Sequence, residues 1–176
     1  MKRLFIIQIL VIAALVSCKE DKPSVRTSGT DTIDNTILPD GSSWYVNGFS
    51  FSQAKLISTN LASKPDITLL PNKNNTLSPL ILDSDTFSSP FLKIGEYVTE
   101  EEAKTAFNDL KTVPEGEWIE MIDPLAENQV WIYRSNDEKY TKFRIVNIVN
   151  EMKDHVPYGE CTFQWVHQPD GTAVFP

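Results

Sequence analysis

The sequence predicts a mostly β fold with one short helix, and three observations predict it. Four runs rich in aromatic and β-branched residues ("EWIEMI", "NQVWIYRS", "KYTKFRIVNIV" and "CTFQWVH") crowd the last third of the 176-residue chain. One segment, "TEEEAKTAFNDL", repeats its apolar residues at helical spacing. Proline, glycine, asparagine and serine cut most of the remainder into short pieces. With 41% hydrophobic and 10% aromatic residues, the chain has material for one domain with a real core.

The N-terminus stands apart from that domain. Met1-Lys2-Arg3 is a short basic start, and Leu4 to Val16 is apolar apart from Gln8. Thirteen such residues make about 20 Å of helix, short of the roughly 30 Å hydrocarbon core. A cationic start and an apolar run of this length predict a secretory signal over residues 1–17. The run ends Leu15-Val16-Ser17-Cys18, which resembles the bacterial lipobox. That resemblance implies that Cys18 receives a diacylglyceryl group, becomes the mature first residue and is N-acylated, for instance by palmitate. Such chains make a lasting membrane anchor. The competing fates for Cys18 are a metal ligand or a bridge to Cys161, the one other cysteine. A bridge would pin a folded element to the border of the signal. With Cys18 lipidated, Cys161 has no intramolecular partner and is expected to be a buried thiol.

Loss of Lys2 and Arg3 leaves 14 basic against 24 acidic side chains, a formal charge of −10. This argues against nucleic acid as a partner and against a polybasic grip on anionic lipid. Residues 18–43 are polar and lack a period-2 or period-3.6 apolar pattern, so they read as a flexible tether. Lys19-Glu20-Asp21 resembles the Lys-plus-acid signals that send some lipoproteins to the outer face of the outer membrane.

The β domain is expected to span residues 44–176. "SWYVNGFSFSQAKLIST" alternates as strands do, with Asn47-Gly48 as a turn or bulge. "PDITLLP" is a short apolar run closed by prolines, and residues 72–90 suggest edge strands and loops. In the helix, Thr99 and Glu102 have capping-box spacing, and Ala103, Ala106, Phe107 and Leu110 form one narrow stripe. Val113-Pro114 ends it. Asp123-Pro124, Ser135-Asn136-Asp137 and a loop around Pro157–Gly159 are expected to separate the four final strands. In the last, Cys161, Phe163, Trp165 and His167 share one face.

Motifs for catalysis are scarce, and the chain is not expected to be an enzyme. It has no Gly-rich phosphate loop, no paired-Cys metal motif and no G-x-S-x-G elbow. "DTIDNT" and "DSDTF" cluster carboxylates without EF-hand spacing and read as solvated loop acids. The two histidines, His155 in a loop and His167 on the aromatic face, could ligate haem or a metal through neutral imidazole. Met121 and Met152 could add thioethers, although methionine in a strand more often packs a core.

The stretch "NQVWIYRSNDEKYTKFRIVNIVNEMKDHVPYGECTFQW" resembles the C-terminal hairpin and closing strand of the HmuY family, secreted lipoproteins that include haemophores. Trp44 and "FSFSQAKLIS" resemble that family's opening strands. "PDITL" keeps the aspartate of its Trp-Asp pair as Asp66, with Pro65 in place of tryptophan. The resemblance spans residues 44–170. It implies a mostly β, hand-shaped, lipid-anchored protein of the outer membrane, surface-exposed and engaged in iron acquisition. Such a protein would hold haem between β fingers and deliver it to a TonB-dependent outer-membrane transporter. The family's axial His or Met ligands come partly from a central region that has no histidine here, so they do not carry over residue by residue. Met121, His155 and His167 are the remaining candidates. The alternative is a haem-independent surface lipoprotein that binds another small molecule or a protein. A cleft lined by Met121, Trp118 or Trp165 would favour a flat apolar ligand, and a filled β core would favour the alternative.

Overall fold

The computed structural model describes residues 25–70, 80–84 and 89–176. Cys18, the signal segment and most of the Pro/Asn-rich stretch lie outside the described residues. In chain order the elements are β1 (Ser28–Asp34), β2 (Leu38–Asp40), β3 (Ser43–Tyr45), β4 (Asn47–Ser50), β5 (Lys55–Ser58), β6 (Thr68–Leu70), β7 (Leu80–Asp83) and β8 (Phe91–Glu96). Then follow α1 (Glu100–Asp109), β9 (Trp118–Ile119), β10 (Met121–Leu125), β11 (Gln129–Arg134), β12 (Tyr140–Lys153) and β13 (Val156–Gln168). The fold is mostly β with one short helix, as the sequence predicts, and its strand pairs are antiparallel.

The central sheet has the order β1-β13-β12-β11-β8-β9. Because side chains alternate along a strand, it presents two different faces. One carries Tyr133, Phe143, Phe163 and Trp165, all at most 1% exposed. It is covered by Phe49 and Phe51 from the β4–β5 hairpin, by Ile67 and Leu69, and by Ile122 and Leu125 of β10. Phe51 lies at the centre, with its ring 5.4–6.1 Å from those of Tyr133, Phe143, Phe163 and Trp165. Burial of rings this large is the main source of stability in such a core. Cys161 lies at its margin as a buried free thiol, and burial pushes its pKa strongly upward. The thiol therefore stays protonated and inert.

The opposite face packs against α1 and the C-terminal tail, where Ala103 and Phe107 meet Val130, and Phe175 meets Leu92 and Ile132. Both halves of the predicted capping box are formed. Thr99 Oγ1 accepts from Glu102 N (3.3 Å), and Thr99 N donates to Glu102 Oε2 (3.1 Å). The helix stops at Asp109, ahead of Val113-Pro114. Lys142, reaching up from β12, donates to the Phe107 and Leu110 carbonyls at 2.9 Å each, so a buried cation caps the negative end of the helix.

Four boundaries differ from the sequence expectation. The segment 18–43 is not wholly a tether, because β1 pairs with β13 from Ser28↔Val166 to Asp34↔Glu160. Only Ile33 of β1 is a buried apolar residue. Polar groups hold the rest: Trp165 Nε1 donates to Asp31 Oδ2 (2.7 Å), and Thr32 and Thr162 share a hydroxyl bond of 2.8 Å. An edge strand fixed in this way shows no apolar alternation. Second, Asn47-Gly48 lies inside β4, and the turn falls at residues 51–54, where Ala54 has φ 51°. Gly48 answers to close approach, since a Cβ there would collide with the Ile67 carbonyl and the Pro65 ring.

Third, "EWIEMI" is two strands in two sheets. Trp118–Ile119 pairs with β8, while β10 leaves to join β7 and β6 and runs through Asp123-Pro124 rather than ending there. Last, Pro157–Gly159 lies within β13. The turn is Asp154-His155, both with positive φ (49° and 65°), as a tight two-residue hairpin connection requires.

Candidate functional site

The β12–β13 hairpin is longer than its neighbours. Its arms have 14 and 13 residues, whereas β1 has 7 and β11 has 6. Beyond Asp34↔Glu160 the hairpin therefore projects past the sheet. Asn35 secures it at that point: its side chain accepts from Gly159 N (2.8 Å) and donates to the Pro157 carbonyl (3.1 Å). Pro157, which has no N–H to give, is tolerated because β1 no longer pairs there.

The β2–β3 hairpin forms a second projection. Gly41, with φ +60°, lies in its turn, and Pro39 pairs with Trp44. Its base is tied to the end of β5 by Thr59 N to the Val46 carbonyl (3.0 Å), and Asp40 accepts from Asn60 Nδ2 (3.0 Å).

Between the two projections lies a cleft of about 1010 Å³. Trp44 and Ile37 line it from the β2–β3 side, Val156 and Tyr158 from the tip of β12–β13, and Leu69 and Leu70 from β6. Trp44 is 70% exposed, Ile37 59% and Val156 58%. Large apolar side chains this open to water, gathered around one concavity, mark an interaction site.

The polar chemistry of the cleft is concentrated on one wall. The ammonium of Lys153 sits 3.1 Å from the centre of the Tyr158 ring, and the Tyr158 hydroxyl donates to Glu160 Oε2 at 2.9 Å. Burial, reinforced by the Glu160 carboxylate, pushes the phenol up to about 12, so it remains a neutral donor. Glu151 Oε1 approaches Lys153 Nζ at 3.4 Å, with both side chains about half exposed.

The structure does not bring the three sequence candidates together. Met121 sits in β10 opposite Asp83, half-buried. His155 is exposed in the hairpin turn, between the cleft residues Lys153 and Val156. His167 is buried on the aromatic face, where its Nδ1 shares a 2.8 Å hydrogen bond with the Thr141 hydroxyl. Nε2 of His167 has no hydrogen-bond partner among the described residues. Desolvation, aided by Lys139, lowers its pKa, so the ring stays neutral in the fold. The two histidines lie at opposite ends of β13, roughly 40 Å apart at the rise of an extended strand. They cannot ligate one haem.

Met121, Trp118 and Trp165 do not line a common cleft. Trp165 is fully buried in a filled core, the outcome that favours the haem-independent alternative, and Trp118 lies under the Arg134 guanidinium, 4.4 Å from its ring. The cleft is built instead from Trp44, Tyr158 and their neighbours. In the sequence the signal for it was weak: an aromatic residue next to a Gly-Ser turn and a lysine near a proline. Among the described residues no three His, Cys, Asp or Glu side chains converge as a metal site would require, and no helix is long and apolar enough to cross a membrane. None of the family models or curated proteins compared with this chain matches it.

Proposed function

We propose that this chain is a lipid-anchored surface lipoprotein of the HmuY type that captures a flat, largely apolar small molecule in the Trp44–Tyr158 cleft. It would pass that molecule to an outer-membrane transporter. One observation carries the reading: exposed aromatic and aliphatic side chains from two projecting hairpins surround a single cleft of about 1010 Å³. That volume and lining suit a small-molecule site. On this reading the lipobox-like segment at Cys18 would anchor such a site outside the cell.

Haem is the ligand the family resemblance suggests, and the cleft suits its flat apolar body. The described residues lining the cleft include no histidine, methionine or cysteine, and of the three candidates only His155 adjoins it. Capture on this reading rests on burial against Trp44, Ile37 and Val156, not on a pair of axial side chains. The reading assigns the chain no catalytic role.

Titration of the full chain with haemin and with metal-free protoporphyrin IX tests it. Both should bind with similar affinity, and Trp44→Ala should weaken both by about tenfold, the loss of one large aromatic contact. Binding of haemin alone would restore axial ligation as the basis of capture. Equal binding by wild type and Trp44→Ala would remove the cleft as the site.

A further inference from the structure

Among the described residues that line the cleft, Lys153 is the one that carries a charge. We propose that the cleft selects an organic anion: a ligand with a flat apolar body and a carboxylate, or a comparable acidic group, received by the Lys153 ammonium. This rests on the cleft being the capture site and adds to it the charge of what is captured.

The geometry of Lys153 supports the assignment. It is the last residue of β12, and its pairing with Val156 across the tight turn fixes where its backbone stands. The Tyr158 ring lies against its ammonium at 3.1 Å and directs it along the apolar wall. The Glu160 carboxylate holds the Tyr158 hydroxyl and so keeps the ring in place. An ammonium has three N–H donors. The ring face takes one direction, and Glu151 lies along a second at 3.4 Å. A third remains for a ligand.

Glu151 is no barrier to exchange. The ion pair is half exposed on both sides, and pairs of that kind gain little from their contact. An incoming anion whose apolar part is buried beside Trp44 and Val156 would meet the ammonium in a drier setting, where the same charge contact is stronger. Of the uncharged polar side chains lining the cleft, Thr36 brings only a hydroxyl, and Asn35 already uses its amide to hold Gly159 and Pro157. The chain as a whole carries a formal charge of −8, so it repels anions in general. A single lysine at the cleft wall then acts as a local filter: an acidic ligand is retained only if its apolar body also fits.

The test uses 1-pyrenecarboxylate and 1-pyrenecarboxamide, equal in shape and different in charge. Equilibrium dialysis against the full chain in lipid nanodiscs, with empty discs in parallel, gives the affinity ratio of acid to amide. Lys153→Met should lower that ratio about fivefold, the upper end for a half-exposed pair, by weakening the acid and leaving the amide unchanged. Lys153→Arg should preserve most of the ratio, and raised salt should shrink it in wild type. Since the Lys153 side chain is 53% exposed, the fold should tolerate both substitutions. A ratio that is the same in wild type and Lys153→Met overturns the anion assignment and leaves the cleft standing. Affinities for both probes that do not respond to Trp44→Ala overturn the cleft, and the anion assignment falls with it.

Discussion

Asp66 joins the β4–β5 hairpin to the central sheet, and its removal should show how much that joint contributes. One carboxylate oxygen accepts from Phe51 N at 2.7 Å and the other from the Tyr133 hydroxyl at 3.0 Å. Phe51 and Tyr133 are each 1% exposed, so both bonds are out of water. Asp66→Ala strands the buried Phe51 N–H, at a cost of about 1–3 kcal/mol, and removes an acceptor from Tyr133 for about 1 kcal/mol more. Part of this is returned, because burial already penalises the charged carboxylate and raises its pKa above the ordinary 3.8. The net loss should be about 2–4 kcal/mol, or roughly 5–15 °C in Tm for a domain of this size.

Asp66→Asn is the informative partner. Its carbonyl can still accept from Phe51 N and its amide can donate to the Tyr133 oxygen, without a charge to desolvate. It should lie within about 1 kcal/mol of wild type at neutral pH. The pH dependence has a defined sign. A carboxyl whose folded pKa is raised takes up its proton earlier in the fold than in the unfolded chain. Its contribution is fully present below pH 3.8 and is lost as pH rises through the folded pKa. Wild type should therefore gain on Asp66→Asn as the solution is acidified through that window. Urea denaturation of the three proteins at several pH values measures all of this. Equal stability of the Ala and Asn variants, or wild type losing ground to Asn on acidification, would refute the reasoning.

Two further outcomes follow from the same kind of argument. Thr99→Ala removes one half of the capping box and should cost about 1 kcal/mol, seen as a Tm lower by roughly 3 °C, with Thr99→Ser close to wild type. His167 has a folded pKa below its ordinary 6.5, so its contribution is complete above pH 6.5 and is lost as pH falls towards the folded pKa. Stability should decline there by up to about 1.4 kcal/mol per pH unit, and His167→Gln should flatten that part of the profile.

The elements that the sequence announced are those whose order is written locally. Thr99 and Glu102 declare a helix start because both halves of the cap lie within one turn, and the structure forms both. Cys161, Phe163, Trp165 and His167 declare a buried face because period-2 burial repeats along an unbroken strand, and all four are buried. β1 was illegible for the opposite reason. Its partners Thr162 and Trp165 lie more than a hundred residues away, and it meets them through Thr32 and Asp31, polar side chains that look like a tether. The Asp154-His155 turn was missed because the strongest hairpin signals carry glycine and this one does not. Gly48 misled by the same logic, since its glycine serves a close approach and not a turn.

The cleft was illegible for a reason that also explains why it exists. Alternation of apolar residues tells that one face of a strand is apolar, and a core is inferred from it. Along β12 and β13 the inference holds as far as Ile148 and Cys161, where the covering β4–β5 and β6 segments still pack. The hairpin then continues to Val156, and beyond Asn35 no described strand pairs along its outer side. Val156 and Tyr158, which by alternation lie on the face opposite Cys161 and Phe163, line the cleft there. Whether the end of a strand is covered or left open as a binding surface is decided by the length of the neighbouring elements, here 7 residues in β1 against 13 in β13. That difference in length is a relation between distant segments, and no local pattern records it. It is also why Lys153 has its place. At the end of a strand that outruns its sheet, a lysine can keep its stem on an apolar wall and its charge at the mouth, which is the arrangement an apolar anion would require.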